Sequence, residues 1–87
     1  MKQQFLNHLN ALLIAEQMLH SEVKDRQIEG FFTWISTLNK DDLFTDYQTH
    51  NNIRYRYVSY SVGELCFSVT VIQTNEDDMI MIDKNFE

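Results

Sequence analysis

The chain has 87 residues, 44% of them apolar, with six Phe, four Tyr and one Trp. This is enough for one domain with a real core, burying roughly 60–65% of its unfolded surface. Thirteen acids stand against seven bases, and the net charge of −6 is spread evenly, with no basic tail or basic half. Phosphate neutralisation needs clustered Lys and Arg, so direct nucleic-acid binding is disfavoured, and an acidic surface instead suits a basic partner protein drawn in by long-range attraction.

Cys66 is the only cysteine, which rules out an internal disulfide and suits a reducing, cytoplasmic setting. Near the N-terminus the uninterrupted apolar run Ala11 to Ala15 is too short for a signal core. No run approaches the ~18 residues of a membrane span.

Residues 3–20 read as a first helix. At 100° per residue, Phe5, Leu6, Leu9, Leu12, Leu13 and Leu19 share one arc, with Glu16 and His20 inside it. Ala11, Ile14, Ala15 and Met18 form a second apolar patch almost opposite, a candidate dimer face. Residues 22–38 read as a second helix, with Ser21 as N-cap and Glu22 and Asp25 in its first turn. Ile28, Phe31, Phe32, Trp34, Ile35 and Leu38 gather on one side. A competing reading makes 31–38 a strand and runs the first helix on to Gly30.

Asn39 to Asp42 is a turn. Residues 43–49 fit either a short strand or a short helix, and His50 to Asn52 turns into the clearest element. There, Val62-Gly63-Glu64-Leu65 fits a two-residue hairpin with Gly first, the type II′ arrangement. Strands at 53–62 and 65–73 follow, with a fixed register. Arg56, Val58, Tyr60 and Val62 then oppose Val71, Val69, Phe67 and Leu65 on the core face. Tyr55, Tyr57, Ser59 and Ser61 oppose Ile72, Thr70, Ser68 and Cys66 on the other. A third strand is expected at 79–83. A preceding loop of four would place Ile80 and Ile82 inward, and a loop of five would place Met79 and Met81 there; the β-branched pair is preferred. The fold class is α+β: two N-terminal helices on an antiparallel three- or four-stranded meander.

No chemistry-bearing motif stands out. His8, His20 and His50 are scattered, and no metal-binding His or Cys pair occurs. Neither Asp41-Asp42 nor Glu76-Asp77-Asp78 has the alternating oxygens and glycine of a calcium loop. Glu16 and His20, one helical turn apart, could do acid–base work but equally form an ordinary helix contact. A carboxylate within a leucine face needs a partner, and Arg54 or Arg56 is placed to supply one. Cys66 has no evident base, and no nucleophile elbow occurs. The expectation is a non-enzymatic protein without metal or cofactor that binds and masks or inhibits a basic partner, in the manner of an immunity protein, antitoxin or phage inhibitor. Asp41, Asp42, Asp46, Glu76, Asp77 and Asp78 would attract the partner, and Tyr47, Tyr55 and Tyr57 would anchor it. The alternative is a self-associating module, a homodimer through helix 1 or a sheet edge.

Overall fold

Ser21 opens the second helix as its cap. Its backbone is extended, and its hydroxyl oxygen accepts the Lys24 N–H at 3.3 Å. The chain, described by a computed structural model over residues 2–19 and 21–86, forms α1 (Lys2–Glu16), α2 (Glu22–Ile35), a 3-10 turn (Lys40–Asp42), β1 (Leu43–His50), β2 (Ile53–Val62), β3 (Leu65–Gln73) and β4 (Asp78–Lys84). The strands make one antiparallel sheet in the order β1-β2-β3-β4. The fold is therefore two helices followed by a four-stranded meander, an α+β arrangement.

Helix wins over strand at 31–35 because Lys24, Ile28, Phe31, Phe32 and Ile35 are all buried at helical spacing. Gly30 stops nothing; it lies exposed within α2. The helix ends three residues before the expected Leu38. Thr37 and Leu38 bond back to Trp34 and Ile35 in a tighter turn, and the Ser36 and Thr37 hydroxyls donate to the Thr33 and Trp34 carbonyls at 2.6 Å each. Hydroxyls that take up nearby carbonyls compete with the helical ladder.

The first helix also stops early, at Glu16. Gln17 and Met18 again bond back to Ile14 and Ala15, and the Met18 carbonyl accepts from the buried Lys24 ammonium at 3.1 Å. That contact draws the chain away from the helix axis. Leu19, expected in the core, is 90% exposed. The buried stripe of α1 is Phe5, Leu9, Leu12 and Ala15. It is rotated away from Leu13 because α1 packs against α2 and β4 together.

The segment 43–50 is a strand, and its hairpin to β2 explains why. Asn51 and Asn52 both take positive φ (49° and 66°) between the paired His50 and Ile53. Positive φ at both central positions is the type I′ turn, whose twist matches the flanking strands. Gly63 is also at positive φ, 56°, while Glu64 is not, as the type II′ reading requires. The β2–β3 register agrees pair for pair, from Val62 opposite Leu65 to Tyr55 opposite Ile72. The β3–β4 loop has four residues, since Gln73 pairs with Asp78. The Thr74 side-chain oxygen accepts the N–H groups of Glu76 and Asp77 and shapes this loop. Ile80 is consequently buried, and Met79 and Met81 point outward.

The core joins the α1 stripe and the aromatic side of α2 to Val58, Tyr60, Phe67, Val69, Val71 and Ile80 on one sheet face. Phe5 sits at its centre, 5.2 Å from Tyr60, 5.3 Å from Trp34 and 5.9 Å from Phe67.

Candidate functional site

Strand parity decides what lies on the sheet face away from the helices. Tyr57 opposes Asp46 and Thr70, and Thr70 opposes Met81; Tyr55 opposes Gln48 and Ile72, and Ile72 opposes Met79; Ser59 opposes Phe44 and Ser68, and Ser68 opposes Asp83. These residues share one surface because side chains alternate along each strand. The buried residues of both helices pack on the other face. Phe44, Met79 and Met81 are 61%, 55% and 49% exposed, and Tyr55, Tyr57 and Ile72 are half-buried. Phe44 meets Tyr57 edge-on at 6.1 Å. A hollow of about 270 Å³ opens beside Tyr57, lined also by Ser59, Cys66, Ser68, Asp83 and Lys84.

The charge on this face is mainly acidic, with Lys84 at its margin. Asp46 and Asp83 lie on it. Arg54, Arg56 and Lys84 take their registers with Gln73, Val71 and Phe67 on the helix side, and the other bases belong to α1, α2 and the 3-10 turn. Sequence reading placed Tyr55 and Tyr57 on this face and named Asp46 as an attracting acid without a face; it turned Met79 and Met81 outward through its preferred loop but did not name them, Phe44 or Asp83 as contact residues. The signal for Met79, Met81 and Asp83 was the parity that the four-residue loop gives β4, while Phe44 could be placed only once 43–50 is known to be a strand.

Other expected site residues fall elsewhere. Tyr47 opposes Arg56, so it projects on the helix side, edge-on to Phe32 at 5.7 Å, where burial raises its phenol above the ordinary value. It cannot anchor a ligand together with Tyr55 and Tyr57. Asp78 is excluded from any contact surface. Its side chain is fully buried, with one oxygen 3.8 Å from the Lys24 ammonium. Asp41 and Asp42 precede β1 at one end of the sheet, while Glu76 and Asp77 occupy the loop at the other. The proposed dimer patch on α1 is also broken. Ala11 and Ile14 are exposed and Met18 is half-buried, but Ala15 faces the core with no exposed surface, because helix 2 and β4 close over that side.

The arginine–carboxylate pairing forms with a different carboxylate. Glu16 is exposed, and His20 lies outside the described residues. Glu29 of α2 instead takes Arg56 in a two-pronged bond, at 3.1 Å to one nitrogen and 2.7 Å to the other. Arg56 also donates to the Gln73 side chain at 2.6 Å and stacks over Phe32, 4.0 Å from its ring centre. Arg54 approaches the same carboxylate at 3.5 Å. The Arg56 hydrogen bond holds Glu29 below the ordinary carboxylate range against opposing desolvation, helped by the charges of both arginines. With both oxygens engaged and proton affinity lowered, Glu29 is a clasp between α2 and the sheet, not a poised base. Among the described residues, no group of three or more His, Cys, Asp or Glu could hold a metal ion, and no helix is long and apolar enough to cross a membrane.

No family model, curated protein or solved structure matches the chain.

Proposed function

We propose that this is a non-enzymatic protein of the cytoplasm that binds a basic partner protein through the uncovered sheet face and masks or inhibits it. One observation carries the reading: an open face with Phe44, Tyr55, Tyr57, Met79 and Met81 beside the carboxylates Asp46 and Asp83, with Lys84 at its margin. Rigid aromatic rings give contact area at low entropic cost, and methionines adapt to irregular partners. Predominantly acidic charge steers a basic surface to the face and disfavours an acidic one. The lone Cys66 accords with a reducing location.

The test uses the purified chain and a Phe44→Ala/Met81→Asp variant of matched melting temperature, each immobilised and exposed to extract of the source cells. The expected result is a basic protein retained by the parent in stoichiometric amount, weakened by salt and lost on the variant. An acidic partner, or one retained equally by the variant, would refute the assignment to this face.

A further inference from the structure

The two edges of the sheet are unequally protected. β4 carries Asp78, Asp83 and Lys84, and α1 packs along it. β1 reads LFTDYQTH, with Asp46 its only formal charge at neutral pH and no Lys or Pro. Its register with β2 runs unbroken from Leu43–Tyr60 to His50–Ile53, so no bulge twists the edge away. Native edges are normally blunted by such devices, and a long unprotected edge invites another strand.

The hydrogen-bonding direction of β1 can be worked out from its turn. Residues flanking a two-residue hairpin turn exchange both ladder bonds, and the pattern then alternates. His50, Gln48, Asp46 and Phe44 therefore bond to β2, while Thr49, Tyr47 and Thr45 turn their N–H and C=O outward. Leu43 fits this alternation, since its N–H is taken by the Lys40 carbonyl. A groove of about 500 Å³ lies beside this edge, between Ile35 at the end of α2, Leu38 and Lys40 beyond it, and Leu43, Thr45 and Tyr47 of β1.

We propose that β1 pairs with β1 of a second copy, antiparallel about a two-fold axis at Tyr47, to form a homodimer with one continuous sheet. The sequence of the strand selects the register. Two-fold antiparallel pairing opposes residues of the same face, so the axis must pass beside a residue. An axis at Asp46 would set two carboxylates directly opposite, which is destabilising. At Tyr47 it opposes Asp46 to the partner's Gln48, Phe44 to the partner's His50 and Thr45 to the partner's Thr49. Gln48 already reaches the Asp46 carboxylate within one chain, at 3.1 Å, so the amide and the acid are compatible neighbours on this face. Tyr47, 51% exposed, then meets its own copy over the groove. The axis is perpendicular to the sheet, so both uncovered faces lie on the same side of the dimer. This inference does not rest on the partner-binding reading and survives its failure.

The experiment is light scattering over a concentration series, with the parent, Tyr47→Pro, and Thr45→Lys/Tyr47→Lys. A parallel arm places Tyr47→Cys in a Cys66→Ser background under mild oxidation. The parent is expected to dimerise. The edge variants should keep their circular dichroism and weaken the dimer by about tenfold or more, through lost ladder bonds and like-charge repulsion. The Tyr47→Cys chain should give a covalent dimer across the axis. A parent that stays monomeric at millimolar concentration overturns the proposal. So does a dimer untouched by the edge variants but broken by Ile14→Asp or Met81→Asp. Should Tyr47→Pro fail to fold, the oxidation arm decides alone: folded but unlinked protein counts against the proposal.

Discussion

Glu29→Gln isolates the clasp between α2 and the sheet. Arg56 is 3% exposed, and its Nε has no hydrogen-bond partner among the described residues, so its two terminal nitrogens carry most of the compensation for burial. Glu29 is wet by contrast, with half its side chain exposed. Breaking a fully buried pair costs about 3–5 kcal/mol, and an exposed pair contributes about 0–1. Glutamine keeps one acceptor, and water reaches the site from the Glu29 side, so a loss of ~1.5 kcal/mol follows, or about 6–12 °C in melting temperature for a chain this short. The folded pKa of Glu29 lies below its ordinary 4.5. Its contribution is therefore full above that ordinary value and disappears as pH falls through the lower folded value. Melting curves of parent and variant should be well separated at neutral pH and converge in acid. A constant separation across that window, or a shift under about 2 °C at neutral pH, would refute the assigned role. Arg56→Met combined with Glu29→Gln should cost less than the sum of the single changes, because no charge is then left buried alone.

The two glycines should respond in opposite directions. Neither has an atom within 4 Å of an added Cβ, so each substitution reports on the backbone alone. Gly30→Ala, in the body of an exposed helix surface, should raise stability by about 0.8–1 kcal/mol; Gly63→Ala, at φ 56°, should lower it by about 1–2 kcal/mol, both by urea denaturation. His8 stacks flat on Trp34 at 4.1 Å, and burial lowers its pKa from 6.5. The unfolded chain therefore takes up the proton first, and stability should decline as pH falls from about 6.5 through the folded value. A proton NMR titration should give a His8 midpoint below 6.5. A midpoint above it would mean that the indole face favours the imidazolium more than burial disfavours it.

The hairpin was legible because one glycine set everything downstream of it. With Gly63 first in a two-residue turn, parity alone sorts Val58, Tyr60, Phe67 and Val69 inward and Tyr55, Tyr57, Ser68 and Thr70 outward. The four-residue loop added Ile80 in the same way. What could not be read depended on long-range competition for polar groups. Nothing local marks the end of α1 at Glu16; just beyond it the Met18 carbonyl accepts from the buried Lys24, which has Asp78 of β4 alongside. Leu19 and Asp78 both adjoin this contact and both were misplaced, one expected inside and found outside, the other the reverse. Tyr47 was grouped with Tyr55 and Tyr57 while the face of its segment was still open. Its face follows from the Asn51-Asn52 turn, and two successive asparagines at positive φ are a weaker signal than Asn-Gly. Once that turn is fixed, β1 acquires a parity, and the parity separates Tyr47 from Tyr57 and brings Phe44 to it. The same parity turns the N–H groups of Thr45 and Tyr47 to the open edge. A turn of two residues thus determines both the composition of the uncovered face and the strand left free to pair.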